Sequence, residues 1–217
     1  MKILLLGATG RTGKLVLETA LRNDHELHCL ARNVERITPQ KGLQIFDGDP
    51  ANEQDLKRAL AGCDAIISVL NISRKSDFPW SKLRTPERYL SKVMKTLVSV
   101  CEQGNVERVV VCSAWGVAET RQDIPGWFRW FIDHSNIGVA YQDHERQEQI
   151  LISSKLDWTI VRPVGLTDTK KPQNVRLTFD NTPKPSLTIS RLSVAQFMID
   201  CITSESLIGK KPTISRD

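Results

Sequence analysis

The stretch GATGRTG at positions 7–13 follows directly on the apolar run Ile3–Leu6. A glycine-rich turn between a buried strand and a helix does three things at once. It reverses the chain tightly, brings backbone N–H groups near a pyrophosphate, and aims a helix N-terminus at negative charge. Gly7, Gly10 and Gly13 are spaced G-x-x-G-x-x-G. Glycines also mark ordinary turns, so a purely structural turn is the competing reading. What favours a nucleotide cradle is its place on the first strand–helix junction of an alternating chain.

That alternation runs through most of the 217 residues. Strands are expected at Lys2–Leu6, Leu27–Ala31, Leu43–Phe46, Ala65–Leu70, residues 108–114 and the run WTIVRP. Helices are expected at Arg11–Leu21, near Glu53–Ala61, over about Pro86–Glu102, near Gln142–Ser153 and at about Ser193–Thr203, each with apolar residues at helical spacing. Val, Ile and Leu runs without polar alternation suit parallel strands covered on both faces. The fold expected is α/β, a doubly wound, Rossmann-like and mostly parallel sheet. Residues 1–163 form its core, and 164–217 form a small substrate-side lobe with the last helix. Two irregular segments follow strand ends, 115–137 and the polar stretch 164–190 with Pro172, Pro183 and Pro185, where a hairpin strand is expected at Val175–Phe179. Strand C-termini are the ligand edge of open α/β sheets, so both segments are expected to cover the substrate.

Composition narrows the setting. The apolar stretch behind Lys2 ends at Gly7, too short for the roughly 7–15 residues of a secretory core. No run reaches the roughly 18–20 apolar residues of a membrane helix. Cys29, Cys63, Cys101, Cys112 and Cys201 are odd in number and widely spaced, which indicates neither a disulfide framework nor a metal site. A cytoplasmic protein with no metal and no membrane partner is expected, as a monomer or weak homo-oligomer. The net charge of +5 is concentrated: residues 73–95 hold Arg74, Lys75, Lys82, Arg84, Arg88, Lys92 and Lys95 against Asp77 and Glu87. No nucleic-acid-binding module accompanies this patch, so nucleic acid is not an expected partner. A solvated face and a surface favouring an anionic small molecule remain as the two readings.

The coenzyme is indicated about 20 residues beyond the glycine turn. An Asp or Glu at the end of strand two would accept from a ribose 2′-OH and mark NAD. The chain instead reads CLARN, with Arg32 and Asn33 in that slot. A guanidinium can hold a 2′-phosphate through charge-assisted, bidentate bonds, and Arg11 in the glycine loop is placed to flank it. NADP(H) is therefore expected. Asp49, in DGDP after strand three, is expected at the adenine amino group, and the backbone of Val69, Leu70 and Asn71 along the dinucleotide.

In order along the chain, GATGRTG, FDGDP, CDAIISVLN, VERVVVCSA, DHERQEQILISSKLDWTIVRP and TISRLSVAQFMIDCI resemble the atypical short-chain dehydrogenase/reductase superfamily. Within it, the chain is most similar to the biliverdin reductase B, or flavin reductase, group. The resemblance implies a cofactor loop at Gly7, Thr9, Gly10, Arg11 and Thr12, with Arg32 at the 2′-phosphate and Asp49 at the adenine. It implies that Ser113 stands beside the nicotinamide and substrate, and that Pro163 and Val164 shape the nicotinamide pocket. The lysine of the superfamily's Tyr-x-x-x-Lys pair falls at His144, where the flavin reductase group also carries histidine. Ala140 occupies the tyrosine slot, Tyr141 is one position late, and Glu145 stands four residues beyond it. One residue turns a helix by about 100°, so Tyr141 does not replace the missing tyrosine. Gly165 stands where the flavin reductase group carries a second histidine.

Carbonyl reduction needs a proton donor at the oxygen, and the usual pair is missing. A flavin, quinone or bilin spreads the arriving electrons over a conjugated system, leaving the protein to orient it and exclude water. The chain is thus expected to be an NADPH-dependent reductase of a planar or anionic small molecule, with Ser113 and His144 as site residues. His144 reads equally as a proton donor or ribose contact and as a structural histidine; Ser113 reads as an orienting group or a strand-end cap. Trp115, Trp127, Phe128, Trp130 and Phe131 read as packing, as acceptor contacts or as a partner surface. A non-catalytic NADP(H) sensor is the alternative function. A sugar-nucleotide epimerase is a weaker one, because the tyrosine–lysine pair is absent.

Overall fold

The structure, a computed structural model, describes residues 1–171 and 173–217. Pro172, one of the prolines noted above, lies outside the described residues. The chain alternates β1 (Lys2–Leu6), α1 (Arg11–Arg22), β2 (Glu26–Ala31), β3 (Leu43–Asp47), α2 (Glu53–Leu60), β4 (Ala65–Ser68), α3 (Tyr89–Glu102) and β5 (Arg108–Cys112). It continues with α4 (Gly126–Asp133), α5 (Ile137–Ile152), β6 (Asp157–Pro163), β7 (Gly165–Thr167), β8 (Val175–Thr178), β9 (Thr188–Ser190), α6 (Arg191–Thr203) and β10 (Thr213–Arg216). The eight-stranded sheet has the order β3-β2-β1-β4-β5-β6-β10-β8. All its pairings are parallel except β10–β8. This is the doubly wound Rossmann-like architecture expected.

Successive side chains of a strand point to opposite faces, so a strand buried on both sides needs apolar residues throughout. In β1, Ile3 and Leu5 join a core with α1 and α6, through Val16, Ala20, Val194 and Met198. Leu4 and Leu6 join the opposite core, with α2, α3 and α5, through Leu56, Leu90, Leu97 and Leu151. These four side chains of β1 are fully buried. Arg108 anchors the far end of α6, donating to the carbonyls of Ile202 and Cys201.

Several boundaries differ from expectation, β4 ending at Ser68 rather than Leu70 and β5 at Cys112 rather than residue 114. Helix α3 begins at Tyr89 rather than Pro86, because its first turn is capped from α5: the buried Asp143 accepts from Leu90 N (2.7 Å) and Ser91 N (3.3 Å). Helix α5 begins at Ile137 rather than Gln142. Just before it, Asn136 donates to the carbonyls of Trp80 and Ser81, fixing the entry to the helix. Strand β10 was not expected at all: TISR is short and partly polar, yet β6 and β8 take both of its edges. The expected strand at Val175–Phe179 is β8, paired with β10 across the chain rather than in a local hairpin. The segment 115–137 holds a 3₁₀ turn at Ala118–Gln122 and α4, and β7 pairs with β9 beside the main sheet.

Candidate functional site: the cleft at the strand C-termini

In the order 3-2-1-4, the chain runs to opposite sides from β1, which makes the C-terminal ends of β1 and β4 the switch point where such sheets bind ligands. The glycine turn sits there. Gly7 has φ +95°, and a Cβ on it would lie 3.0 Å from the Val69 carbonyl. A Cβ on Gly13 would lie 2.0 Å from the Gly7 carbonyl oxygen. These two glycines are required by the protein's own packing. Gly10 is not: its nearest contact would be an ordinary 3.4 Å, and the residue is exposed. Gly10 is also the N-cap of α1 and supplies no side-chain cap, and no acid stands in the first turn. The first-turn N–H groups therefore point outward without intrahelical partners, as a pyrophosphate site requires.

Next to this cradle, the exposed Arg32 lies just beyond β2 with its guanidinium 4.6 Å above the Tyr89 ring. No carboxylate pairs with it among the described residues. The Tyr89 hydroxyl donates to Asp49 Oδ1 at 2.7 Å, and Ala51 N donates to the same oxygen at 2.9 Å. Burial first, then the Asp49 bond, pushes the Tyr89 hydroxyl pKa up. Arg32, Tyr89 and Asp49 thus form one braced unit, with Asp49 Oδ2 left without a partner among the described residues. Tyr89 is a candidate site residue that sequence reasoning missed, since it lies 57 positions from Arg32 at the start of a helix. Arg11 departs from expectation: its guanidinium pairs with Asp77 (3.2 Å) and Asp168 (3.8 Å) rather than standing free beside Arg32. Asp168 also pairs with Arg191 at 2.6 Å, so these four residues clasp the glycine loop to the segments after β4 and β7.

Val69 and Leu70 are half-buried under the glycine turn, and Asn71 is exposed, its Oδ1 accepting from Ile72 N at 2.8 Å. At the end of β6, Pro163 and Val164 are buried. The Pro163 carbonyl accepts from Trp115 N (3.0 Å), and Val164 N donates to Ile214 O (3.1 Å). With those backbone groups engaged, the pair can offer a ring an apolar wall. Thr9 and Thr12 are half-buried in the glycine loop.

Ser113 follows β5 and is 4% exposed, and its Oγ is buried with no hydrogen-bond partner. Leaving a hydroxyl unpaired in a protein interior costs about 1–3 kcal/mol, so an orphan at the ligand edge of the sheet fits a group that a ligand satisfies. This disfavours the strand-end cap. His144 is also buried; its Nδ1 lies 3.4 Å from Gln147 Nε2, and burial pulls its pKa down to about 4. It is a neutral imidazole at pH 7, with no imidazolium proton to give. Tyr141 stands three residues before His144 on α5. Its ring lies against Gly116 and meets Phe128 edge-on at 6.3 Å, and burial pushes its pKa up to about 12.

A buried ion network holds the loop beside Ser113. Arg162 in β6 is 1% exposed and bonds Glu148 of α5 and Glu119 of the 3₁₀ turn. Lys211 also reaches Glu119 at 2.5 Å. Burial opposes the Glu119 charge, but bonds from Arg162 and Lys211 outweigh it and pull its pKa down to about 2. No spacing in the sequence announces this set.

The sequence profile of the NAD(P)H-binding family matches residues 7–205, and the chain belongs to that family. It is an NAD(P)H-binding protein, and NAD(P)H is its cofactor. Among curated proteins it is similar to Oxidoreductase GME11367 of Pestalotiopsis microspora, 27% identical over 179 residues. That match takes in 75% of this chain and 66% of the relative. Two solved structures share the fold. The short-chain dehydrogenase/reductase of Veillonella parvula in complex with NADP has a TM-score of 0.80 at 19% identity, covering 99% of this chain and 94% of that one. ChuY, an anaerobilin reductase from Escherichia coli O157:H7, has a TM-score of 0.81 at 19% identity, covering 100% and 97%. Among the described residues, no helix is long and apolar enough to cross a membrane.

Proposed function

We propose that this chain is an NADPH-dependent reductase that passes hydride to a planar, conjugated acceptor of the flavin, quinone or bilin class. The observation that carries the proposal is the orphaned Ser113 Oγ at the C-terminal edge of the sheet, beside which the displaced pKa values of His144 and Tyr141 on α5 supply no acid titrating near neutral pH. Reduced nicotinamide supplies a hydride. A conjugated acceptor takes up the electron pair without a protein acid at its oxygen, and solvent then supplies the proton. The residues have correspondingly modest roles. Gly10 and the first turn of α1 hold the pyrophosphate. Arg32, braced on Tyr89, takes the 2′-phosphate, and Asp49 faces the adenine. Pro163 and Val164 wall the nicotinamide, and Ser113 donates to the acceptor and orients it. His144 contributes a neutral ring to the wall.

The anaerobilin reductase among the structural relatives is consistent with a tetrapyrrole-like acceptor. Five free cysteines, four of them buried, are consistent with a reducing, cytoplasmic setting. The test is oxidation of NADPH and of NADH against a panel of flavins, quinones and linear tetrapyrroles. Turnover with NADPH and at least one conjugated acceptor, and none with simple ketones, is expected. Tight NADPH binding with no turnover on any acceptor would favour the non-catalytic sensor instead.

A further inference from the structure

The cations of the basic run 73–95 and the exposed tryptophans of 115–131 have no part in this chemistry, and the structure joins the two features. The loop after β4 is braced like a hairpin: Lys75 N donates to Lys82 O at 2.9 Å, and Arg74 and Leu83 bridge below. Phe78 and Trp80 form its tip, 61% and 48% exposed. The tip is fixed to α4, since Trp80 Nε1 donates to the His134 carbonyl at 2.6 Å and its ring meets Phe131 edge-on at 5.8 Å. On α4, Phe128 turns inward toward Tyr141, whereas Trp127 and Trp130, three residues apart on one edge, are 69% and 59% exposed. Ring contacts continue from Phe78 to Trp80, Phe131, Phe128 and Trp127. The result is one ridge of large exposed aromatics with lysines at the base of its hairpin.

A contiguous exposed apolar patch on this scale marks an interaction surface. The charge around it selects the occupant. Lys75, Lys82, Arg84 and Arg88 are exposed, and none pairs with a carboxylate among the described residues. A second copy docking through the same face would set these cations against their own kind, which is unfavourable. Tryptophan is enriched at membrane–water interfaces, where its apolar ring and polar N–H are both accommodated. Lysine and arginine beside an anionic leaflet add an electrostatic attraction that salt screens. We propose that Phe78, Trp80, Trp127 and Trp130 seat this protein on an anionic bilayer surface, with Lys75, Lys82 and Arg84 engaging the headgroup phosphates. A surface-seated ridge needs no spanning segment, and the proposal does not depend on the identity of the acceptor.

The test is co-sedimentation of the full chain with vesicles of phosphatidylcholine alone and of phosphatidylcholine mixed with phosphatidylglycerol, read together with tryptophan fluorescence. Binding to the mixed vesicles with a blue shift, weakened by salt, is expected. Substituting both Trp127→Ala and Trp130→Ala should weaken it by about tenfold or more. Lys75→Glu with Lys82→Glu should weaken it similarly and remove most of the salt dependence. NADPH binding, measured on each variant, confirms an intact fold; the lysine variant carries the test if the tryptophan variant fails that check. No binding of the unmodified chain to mixed vesicles would overturn the proposal. So would binding indifferent to both sets of substitutions, or a self-association that the tryptophan variant abolishes in the absence of vesicle binding.

Discussion

At the β1 end of the sheet the cleft is shaped by backbone. Gly7 and Gly13 leave no room for side chains, and the pyrophosphate cradle proposed there consists of peptide groups at a helix start. At the β5–β6 end it is shaped by side chains from distant parts of the chain. Arg162 ties α5 and the 3₁₀ turn to β6, Asp168 clasps Arg191 and Arg11, and Asp143 caps a helix 52 residues away. A backbone cradle tolerates almost no change in residue type but binds a phosphate common to many proteins. The side-chain end can be rebuilt without loss of the sheet, which is where acceptor preference can vary. The same division sets the size of the effect expected from each substitution.

Gly13→Ala should do the most damage, because its Cβ would meet a backbone oxygen that cannot step aside. Dinucleotide titration should show a loss of NADPH affinity of about a hundredfold or more, with a destabilisation of a few kcal/mol in thermal melting. Arg162→Ala comes next, since it strands the buried Glu148. Denaturant unfolding should show a loss of about 3–5 kcal/mol. Glu119→Gln, at the half-exposed end of the same network, should cost no more than about 1 kcal/mol. Equal losses from the two would show that burial does not set the strength of this network. Arg32→Ala should weaken NADPH about 10- to 100-fold and leave NADH nearly unchanged, as binding to both coenzymes would reveal. Equal losses would remove the 2′-phosphate role. Ser113→Ala should have the smallest structural effect and an opposite sign in two assays. Acceptor turnover should fall about tenfold while the melting temperature holds or rises, because an unpaired buried hydroxyl is lost.

The backbone end was the legible one. A glycine turn behind ILLL, Arg32 after the second strand and the alternation of apolar runs are local patterns, and the sheet follows them closely. Side-chain partners distant in sequence were not. Tyr89 beneath Arg32, Asp143 at the start of α3, and Glu119 with Arg162 are partners 43 to 57 residues apart, joined only by folding. Strand β10 was missed for a related reason, since its four residues become a strand because two neighbours supply hydrogen bonds. Arg11 was correctly placed in the glycine loop, but its partners Asp77 and Asp168 come from loops whose course no periodicity reveals.

Stability should also depend on pH in a definable direction. The folded His144 pKa is lowered to about 4 from 6.5, so below pH 6.5 the unfolded chain binds the proton first. Stability should therefore fall from pH 6.5 towards 4, and His144→Gln should flatten that part of the curve.

A reductase that supplies no titrating acid of its own is tested most directly by the pH profile of kcat with a conjugated acceptor. With His144 near 4 and Tyr141 near 12, kcat should be flat from about pH 6 to 9, and Tyr141→Phe should leave it unchanged. A limb titrating between pH 6 and 9 that disappears in His144→Gln or Tyr141→Phe would contradict it.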